Sequence, residues 1–380
     1  LPCIVGALSF IWSDRVSTPA PTSRPAPAPT TRLEYQLRFL TPAFLGDANQ
    51  AAEWRTPPFK ALLRQWWRVA YAQDHDFRVD VNRMREAEGR LFGSAAGEQG
   101  NQSVIRLRLE RWTAGTMATV PATMPLIELP TFNNPNRQVD ASLYLGYGPV
   151  VNPGGQMQLK NGRAIDAGES ARFMIAVDPR RGISKQDLGQ IERALELWAL
   201  YGTIGGRSRN AWGSLQVQRI GARANSGPKT RPFEDALRLD WPHAIGADAK
   251  GPLIWQGPDC NNWREAMRAL AQIRMKLRRV FPFQTRQQQQ VLENRHWLAY
   301  PVTHHQLRQW GTLRLPNSMR FRVRVSPAHP EKLVPVVFHM PCSPPPAFRP
   351  SLSDLVRIWA KAHAFLDGLN HSVRLQRVKQ

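Results

Sequence analysis

Cysteine is nearly absent from this chain: Cys3, Cys260 and Cys342 are scattered, with no CxxC and no Cys/His ligand spacing. That excludes a disulfide framework and a structural zinc site, and it fits a reducing compartment, so a cytoplasmic protein is expected. Acidic residues are also short, 29 Asp and Glu against 51 Lys and Arg, for a formal charge of +22. Lysine is the scarce base, nine residues against 42 arginines. No apolar run reaches the roughly 18 residues of a spanning helix, and no membrane partner is expected. Residues 1–12 (LPCIVGALSFIW) are apolar but lack the basic region of a signal peptide, so they read as an upstream extension or a trimmed start.

What is present suits a folded, cationic protein. With 380 residues and 42% hydrophobic content, the chain can fill two domains or one large one. Guanidinium forks match phosphates bidentately and stack on bases, so arginine dominance favours a nucleic-acid partner. Genome composition can raise arginine over lysine, but it does not supply the net charge.

Residues 18–30 (TPAPTSRPAPAPT) form a proline-rich linker, so the folded part is expected to begin near Arg32. Residues 34–40 alternate Tyr35, Leu37 and Phe39 with polar neighbours, the period of a half-buried strand. A helix follows over 60–71, with Thr56 as N-cap and Pro57 at the first helical position. Lys60, Arg64 and Arg68, spaced by four, form a basic stripe along it. Trp66 and Trp67 are adjacent and so cannot both face one core, which places one of them near a partner or a base.

Strands over 104–110 and 320–325 alternate apolar residues with Arg106 and Arg108, and with Arg320, Arg322 and Arg324. Both sheets are therefore expected to be apolar beneath and cationic above. Further helices are expected over 185–201, with a capping-box start at Ser184 and Asp187 and an end at Gly202, over 263–280, and over 354–366. Alternating strands sandwiched with helices predict an α+β fold of two ferredoxin-like, RNA-recognition-motif-like domains with antiparallel sheets covered by helices. The expected division is 1–31 as apolar start and linker, 32–225 as first domain, and 226–380 as a second, diverged domain, meeting in the loop 221–231.

The most informative stretch is 201–216, YGTIGGRSRNAWGSLQ, which joins a helix to a strand expected over 214–219. Gly202, Gly205, Gly206 and Gly213 allow positive φ and close backbone approach, so successive N–H groups could face an anion while Arg207 and Arg209 hold phosphates. It is neither a Walker A loop nor a dinucleotide fingerprint.

A first strand, then TPAFLGDANQ, RTPPFKALLRQWWRVAY, GRLFGSA and GTIGGRSRNAWGSLQV, resembles in order and spacing the RAMP superfamily of CRISPR proteins, most closely the first subunit of type III-B (Cmr) effectors. The resemblance covers about residues 33–217; residues 1–31 depart from it, and the C-terminal half carries no matching motif. It implies a non-catalytic subunit in antiviral defence, without cofactor or metal. The subunit would contact the 3′ region of guide RNA or its duplex with target RNA, beside other RAMP subunits. Carried over, Lys60, Arg64 and Arg68 match the basic helix, and Gly205, Gly206, Arg207, Arg209 and Gly213 the RNA-contacting loop. Asp47 falls one place early for the family's loop motif and is given no role.

Two alternatives belong to other classes. A metal-independent endoribonuclease processing CRISPR RNA would need paired acid and base groups, and among nine histidines only His304 and His305 adjoin. A magnesium site could form at Asp74, Asp76 and Asp80, although loop solvation is the simpler role. An assembly subunit touching mainly protein would use the 13 tryptophans. His363, between apolar helix positions, reads as structural.

Overall fold

The computed structural model describes residues 31–95, 100–121, 125–129, 134, 136–177, 182–220, 227–284, 290–369 and 373–378. Cys3, His371, residues 1–12, the proline-rich linker and 221–226 of the expected boundary loop lie outside them.

Strand β1 (Thr31–Phe39) leads to helices α1 (Thr56–Asp74) and α2 (Val81–Phe92), then β2 (Ile105–Leu109). An insertion follows: hairpin β3 (Leu126–Glu128) and β4 (Gln138–Asp140), helix α3 (Ala141–Gly146), and hairpin β5 (Val150–Val151) and β6 (Gln158–Leu159). Strand β7 (Ser170–Val177), helix α4 (Lys185–Tyr201) and β8 (Leu215–Arg219) complete a sheet ordered β2-β7-β1-β8, antiparallel at every pairing. A ribbon of β9 (Thr230–Pro232), the short helix α5 (Phe233–Ala236), β10 (Ile245–Asp248) and β11 (Gly251–Pro252) links the halves. Then come β12 (Ile254–Gln256), α6 (Trp263–Arg279), β13 (Met319–Val325), β14 (Leu333–His339), α7 (Leu352–Asp367) and β15 (Gln376–Arg377), in a sheet ordered β13-β14-β12-β15. It too is antiparallel throughout. Each half thus runs strand, helix, strand, strand, helix, strand through the same spatial order, with α2 and the insertion as additions to the first.

Local signals explain most boundaries. Ser184 and Asp187 form the expected capping box of α4, and Asp187 also holds Arg90 of α2 at 2.6 Å. Asn262 caps α6 by accepting from the N–H groups of Arg264 and Glu265. In α1 the cap position is Arg55 with Thr56 already helical, one residue from expectation.

The layers are sheet, helices, sheet, helices. Phe59, Trp66 and Trp198 pack with Leu37, Phe39 and Phe173 under the first sheet, and the same cluster reaches Ile254, Val334, Val336 and Phe338 on the second. The opposite face of the second sheet, with Trp255, Phe321, Val323 and Val337, packs with Met267, Leu270 and Ile273 of α6 and Leu355, Ile358 and Trp359 of α7. Helix α4 is therefore clasped between sheets, and its Tyr201 ring lies 5.2 Å from Phe338.

This layering corrects two expectations. Arg320 and Arg322 are buried and Arg324 is half-buried, because the face they share is covered by the first half. Arg322 donates to the carbonyls of Ala199 (3.2 Å) and Leu215 (2.9 Å), and Arg324 to Gln256. By contrast Arg106 and Arg108 are exposed, as expected. The tryptophan pair is also corrected: Trp66 and Trp67 are both buried in one cluster. Trp66 meets Tyr201 of α4, while α2 supplies a second wall in Phe92, 5.8 Å from Trp67.

Three buried histidines make the stability of the fold sensitive to acid. Burial first, then Arg231, lowers His243 to about 4, and burial lowers His363 to about 3. His339, whose Nδ1 lies 2.9 Å from His363 Nε2, is held well below 6.5 by burial and by His363. Between these values and 6.5 the unfolded chain binds more protons than the folded one, so stability is full above pH 6.5 and falls as pH drops. At pH 5 His243 and His363 together should cost about 4 kcal/mol. Urea midpoints at pH 7.5 and pH 5 check this, and equal midpoints would refute it.

Candidate nucleic-acid interface

The basic stripe on α1 forms, but two of its three charges are already engaged. Glu88, buried on α2, takes Arg64 Nε at 2.7 Å and Arg68 through Nε and Nη2, each at 2.8 Å. Burial pushes the Glu88 carboxyl up, but the hydrogen bonds from Arg68 and Arg64 outweigh it and leave the group below its usual range. Lys60 is half-buried, and burial, then neighbouring Arg64, lowers its ammonium from the ordinary value. Glu88 went unread in the sequence because no local pattern ties residue 88 to residues 64 and 68; only the packing of α2 on α1 does.

The glycine loop is a junction between the two halves. Gly205 has φ +89°, and a Cβ there would lie 2.6 Å from the Phe44 carbonyl oxygen. The N–H groups of Ile204, Gly206, Asn210 and Gly213 donate to the carbonyls of Gly213, Phe44, Arg207 and Pro42. That of Ser214 donates to Thr41 Oγ1. These donors are spent inside the protein, so they offer no backbone cradle, and the loop presents to an anion its arginine side chains. Trp212 is fully buried, its ring 4.7 Å from Phe44 and 6.3 Å from Trp263 at the start of α6. The loop also touches β13, where Phe321 N–H donates to the Arg209 carbonyl and Val323 N–H to Ser214 Oγ.

Arg207 and Arg209 are both exposed but have different neighbours. Arg207 reaches beside Gly148, between α3 and β5 of the insertion. Arg209 lies near buried Arg320, whose guanidinium donates to the side-chain oxygen of Gln65 of α1 at 2.8 and 3.2 Å. The stripe and the loop are thus connected through Gln65 and Arg320. Beside the loop a cavity of 210 Å³ is lined by Phe44, Gly46, Pro149, Arg163 and Gly206.

The other candidates take structural roles. Asp80 caps α2 through the N–H groups of Asn82 and Arg83, and Asp76 lies 3.9 Å from Lys229. Asp47 closes a turn by accepting from Asn49 and Ala51. The His305 ring stacks on Phe283 at 3.6 Å, and its carbonyl meets His296 Nε2. His363 is buried against His339, as its apolar neighbours suggest. Among the described residues no three His, Cys, Asp or Glu side chains converge on a metal-sized site. No described helix is long and apolar enough to cross a membrane.

The fold and this surface define a mixed α/β protein with antiparallel sheets and an arginine-rich face. The RAMP superfamily model matches residues 36–216, just under half of the chain. A search of curated proteins finds no match. Among solved structures, the chain is similar to apo Cmr1 from Pyrococcus furiosus, with 15% identity and a TM-score of 0.43, covering 91% of this chain and 98% of that one. It is also similar to a chain of the type III-B Cmr-beta complex bound to cognate target RNA, with 10% identity and a TM-score of 0.47, covering 87% and 99%. A type IV-B CRISPR complex chain aligns at 13% identity and a TM-score of 0.29, covering 52% and 95%.

Proposed function

We propose that the chain is a non-catalytic RNA-binding subunit of a type III CRISPR ribonucleoprotein effector. It would hold the 3′ region of guide RNA or the guide–target duplex beside other RAMP subunits. The observation that carries the reading is the superfamily match, whose span holds both the α1 stripe and the Arg207 loop. The two sheets of like connectivity support two ferredoxin-like domains that divide within 221–231. The absence of a catalytic site is part of the proposal. It is supported by the packing of His305 on Phe283 and the capping role of Asp80.

Fluorescence anisotropy with labelled guide RNA tests it. Arg207→Glu with Arg209→Glu should weaken binding at least about tenfold, with a shallower salt dependence. Lys60→Glu should act more weakly, since one cation is reversed. Wild-type affinity in all these variants, with the fold intact, would sink the site. Cleavage of labelled RNA by the pure chain, abolished by one side-chain change, would overturn the non-catalytic part.

A further inference from the structure

Helix α6 carries arginines for which neither the superfamily match nor the sequence motifs offer a partner. The structure gathers two of them, one turn apart, with arginines from two other segments. Arg274 lies over the Tyr144 ring of α3 at 5.3 Å. Arg295, in the short helical turn Asn294–Trp297, lies over Phe283 at 5.1 Å, and its Nε is buried with no hydrogen-bond partner. Arg278 is close enough to act on both guanidiniums, and Arg207, from the glycine loop, acts on Arg274.

Among the described residues, charge of one sign is concentrated here. The groups acting electrostatically on Arg274 and Arg295 are the other arginines and Tyr144, with no carboxylate among them. Elsewhere arginines meet acids: Arg64 and Arg68 hold Glu88, Arg90 holds Asp187, Arg111 holds Glu169 and Arg377 holds Asp248. Four neighbouring guanidiniums, two of them seated on aromatic faces, at a cost in mutual repulsion, are the arrangement that phosphates would complete. An exposed aromatic adjoins them. Tyr147 is 70% exposed and precedes Gly148, against which Arg207 lies. Phosphate-binding arginines beside a bare ring suit single-stranded nucleic acid, whose backbone the cations track while a base stacks.

We infer that Arg207, Arg274, Arg278 and Arg295, with Tyr147 as stacking platform, form a second single-stranded RNA contact site that joins the two halves of the chain. The inference rests on the RNA-binding reading and extends it from the matched residues Tyr147 and Arg207 to Arg274, Arg278 and Arg295, which lie outside the superfamily match. It gives the RNA a course from the glycine loop onto α6, away from the α1 stripe.

The test uses the full chain and a fluorescein-labelled 20-nucleotide polyuridylate, with variants compared at matched melting temperature. Arg274→Gln with Arg278→Gln should weaken binding at least about tenfold. It should also reduce the slope of log affinity against log salt by about 1.4, two single-strand phosphates lost. Tyr147→Ala should weaken binding several-fold and leave the slope unchanged, because stacking releases no counterions; this exposed side chain is safer for the fold to lose than the half-buried arginine pair. If wild type binds and all three substitutions bind equally well, this inference fails while the RNA-binding reading stands. If wild type does not bind polyuridylate or guide RNA, both fail. Competition by polyglutamate as strong as by unlabelled polyuridylate would mark the patch as a protein-docking surface and overturn the inference.

Discussion

Arg322→Glu is expected to leave the chain without a stable fold, a loss of about 5 kcal/mol or more. Arg322 is fully buried on β13, with its two terminal nitrogens on the carbonyls of Ala199, in the last turn of α4, and Leu215, at the start of β8. The C-terminal end of α4 presents unpaired carbonyls and partial negative charge, which a buried cation can satisfy. Burial, then Arg324 nearby, lowers the guanidinium to about 9, so it remains charged at neutral pH. A glutamate would set a buried carboxylate against two carbonyl oxygens with no donor for any of the three. Arg322→Met keeps the length and removes the charge but leaves the Ala199 and Leu215 carbonyls without this donor, so it should cost about 3 kcal/mol, less than the buried carboxylate. Urea unfolding of the two variants separates this from a phosphate-contact role, in which Arg322→Glu would fold normally and lose only RNA affinity.

Gly213→Ala is expected to cost about 4 kcal/mol, near the upper end for a single substitution. The residue has φ +67°, and an added Cβ would fall 1.9 Å from the Ile204 carbonyl oxygen, a backbone atom that cannot swing aside. The loop cannot relax to make room, because Gly213 N–H donates to Pro42 and its carbonyl accepts from Ile204. Gly206→Ala is the control: its Cβ would meet the Phe44 side chain at 3.3 Å, so the cost should be about 1 kcal/mol. Thermal or urea unfolding decides. A Gly213→Ala chain of wild-type stability that had lost RNA affinity would show that this glycine serves close approach of a ligand instead of the junction between the halves.

Much of the secondary structure was legible because its signals are local. The capping box at Ser184 and Asp187 and the stop at Gly202 bound α4 from sequence alone, and Met267, Leu270, Ile273 and Leu277 mark the buried side of α6. Helix α2 was missed; its start depends on Asp80, which reads equally well as part of an acidic loop. The tandem tryptophans were misjudged because helical geometry separates Trp66 from Trp67 by about 100°, and nothing local says that α4 and α2 wall both directions.

The candidate site divides in the same way. That Lys60, Arg64 and Arg68 share one side of a helix follows from periodicity, but the engagement of Arg64 and Arg68 with Glu88 is a contact across 20 residues or more that no spacing encodes. Alternation in β13 showed that Arg320, Arg322 and Arg324 share a face, as Arg106 and Arg108 do in β2. It could not show whether that face meets water or another layer.

The sequence by itself determined the charge, the positions of most helices and strands, and which residues line up on each. Only the tertiary structure decided which aligned arginines stay free. The reason is physical: period and capping act through neighbours a turn away, whereas a guanidinium's fate depends on whether a distant carboxylate, carbonyl or covering layer reaches it. Packing turned Arg322 inward to α4, paired Arg64 and Arg68 with Glu88, and brought Arg207, Arg274, Arg278 and Arg295 together with no acid among them.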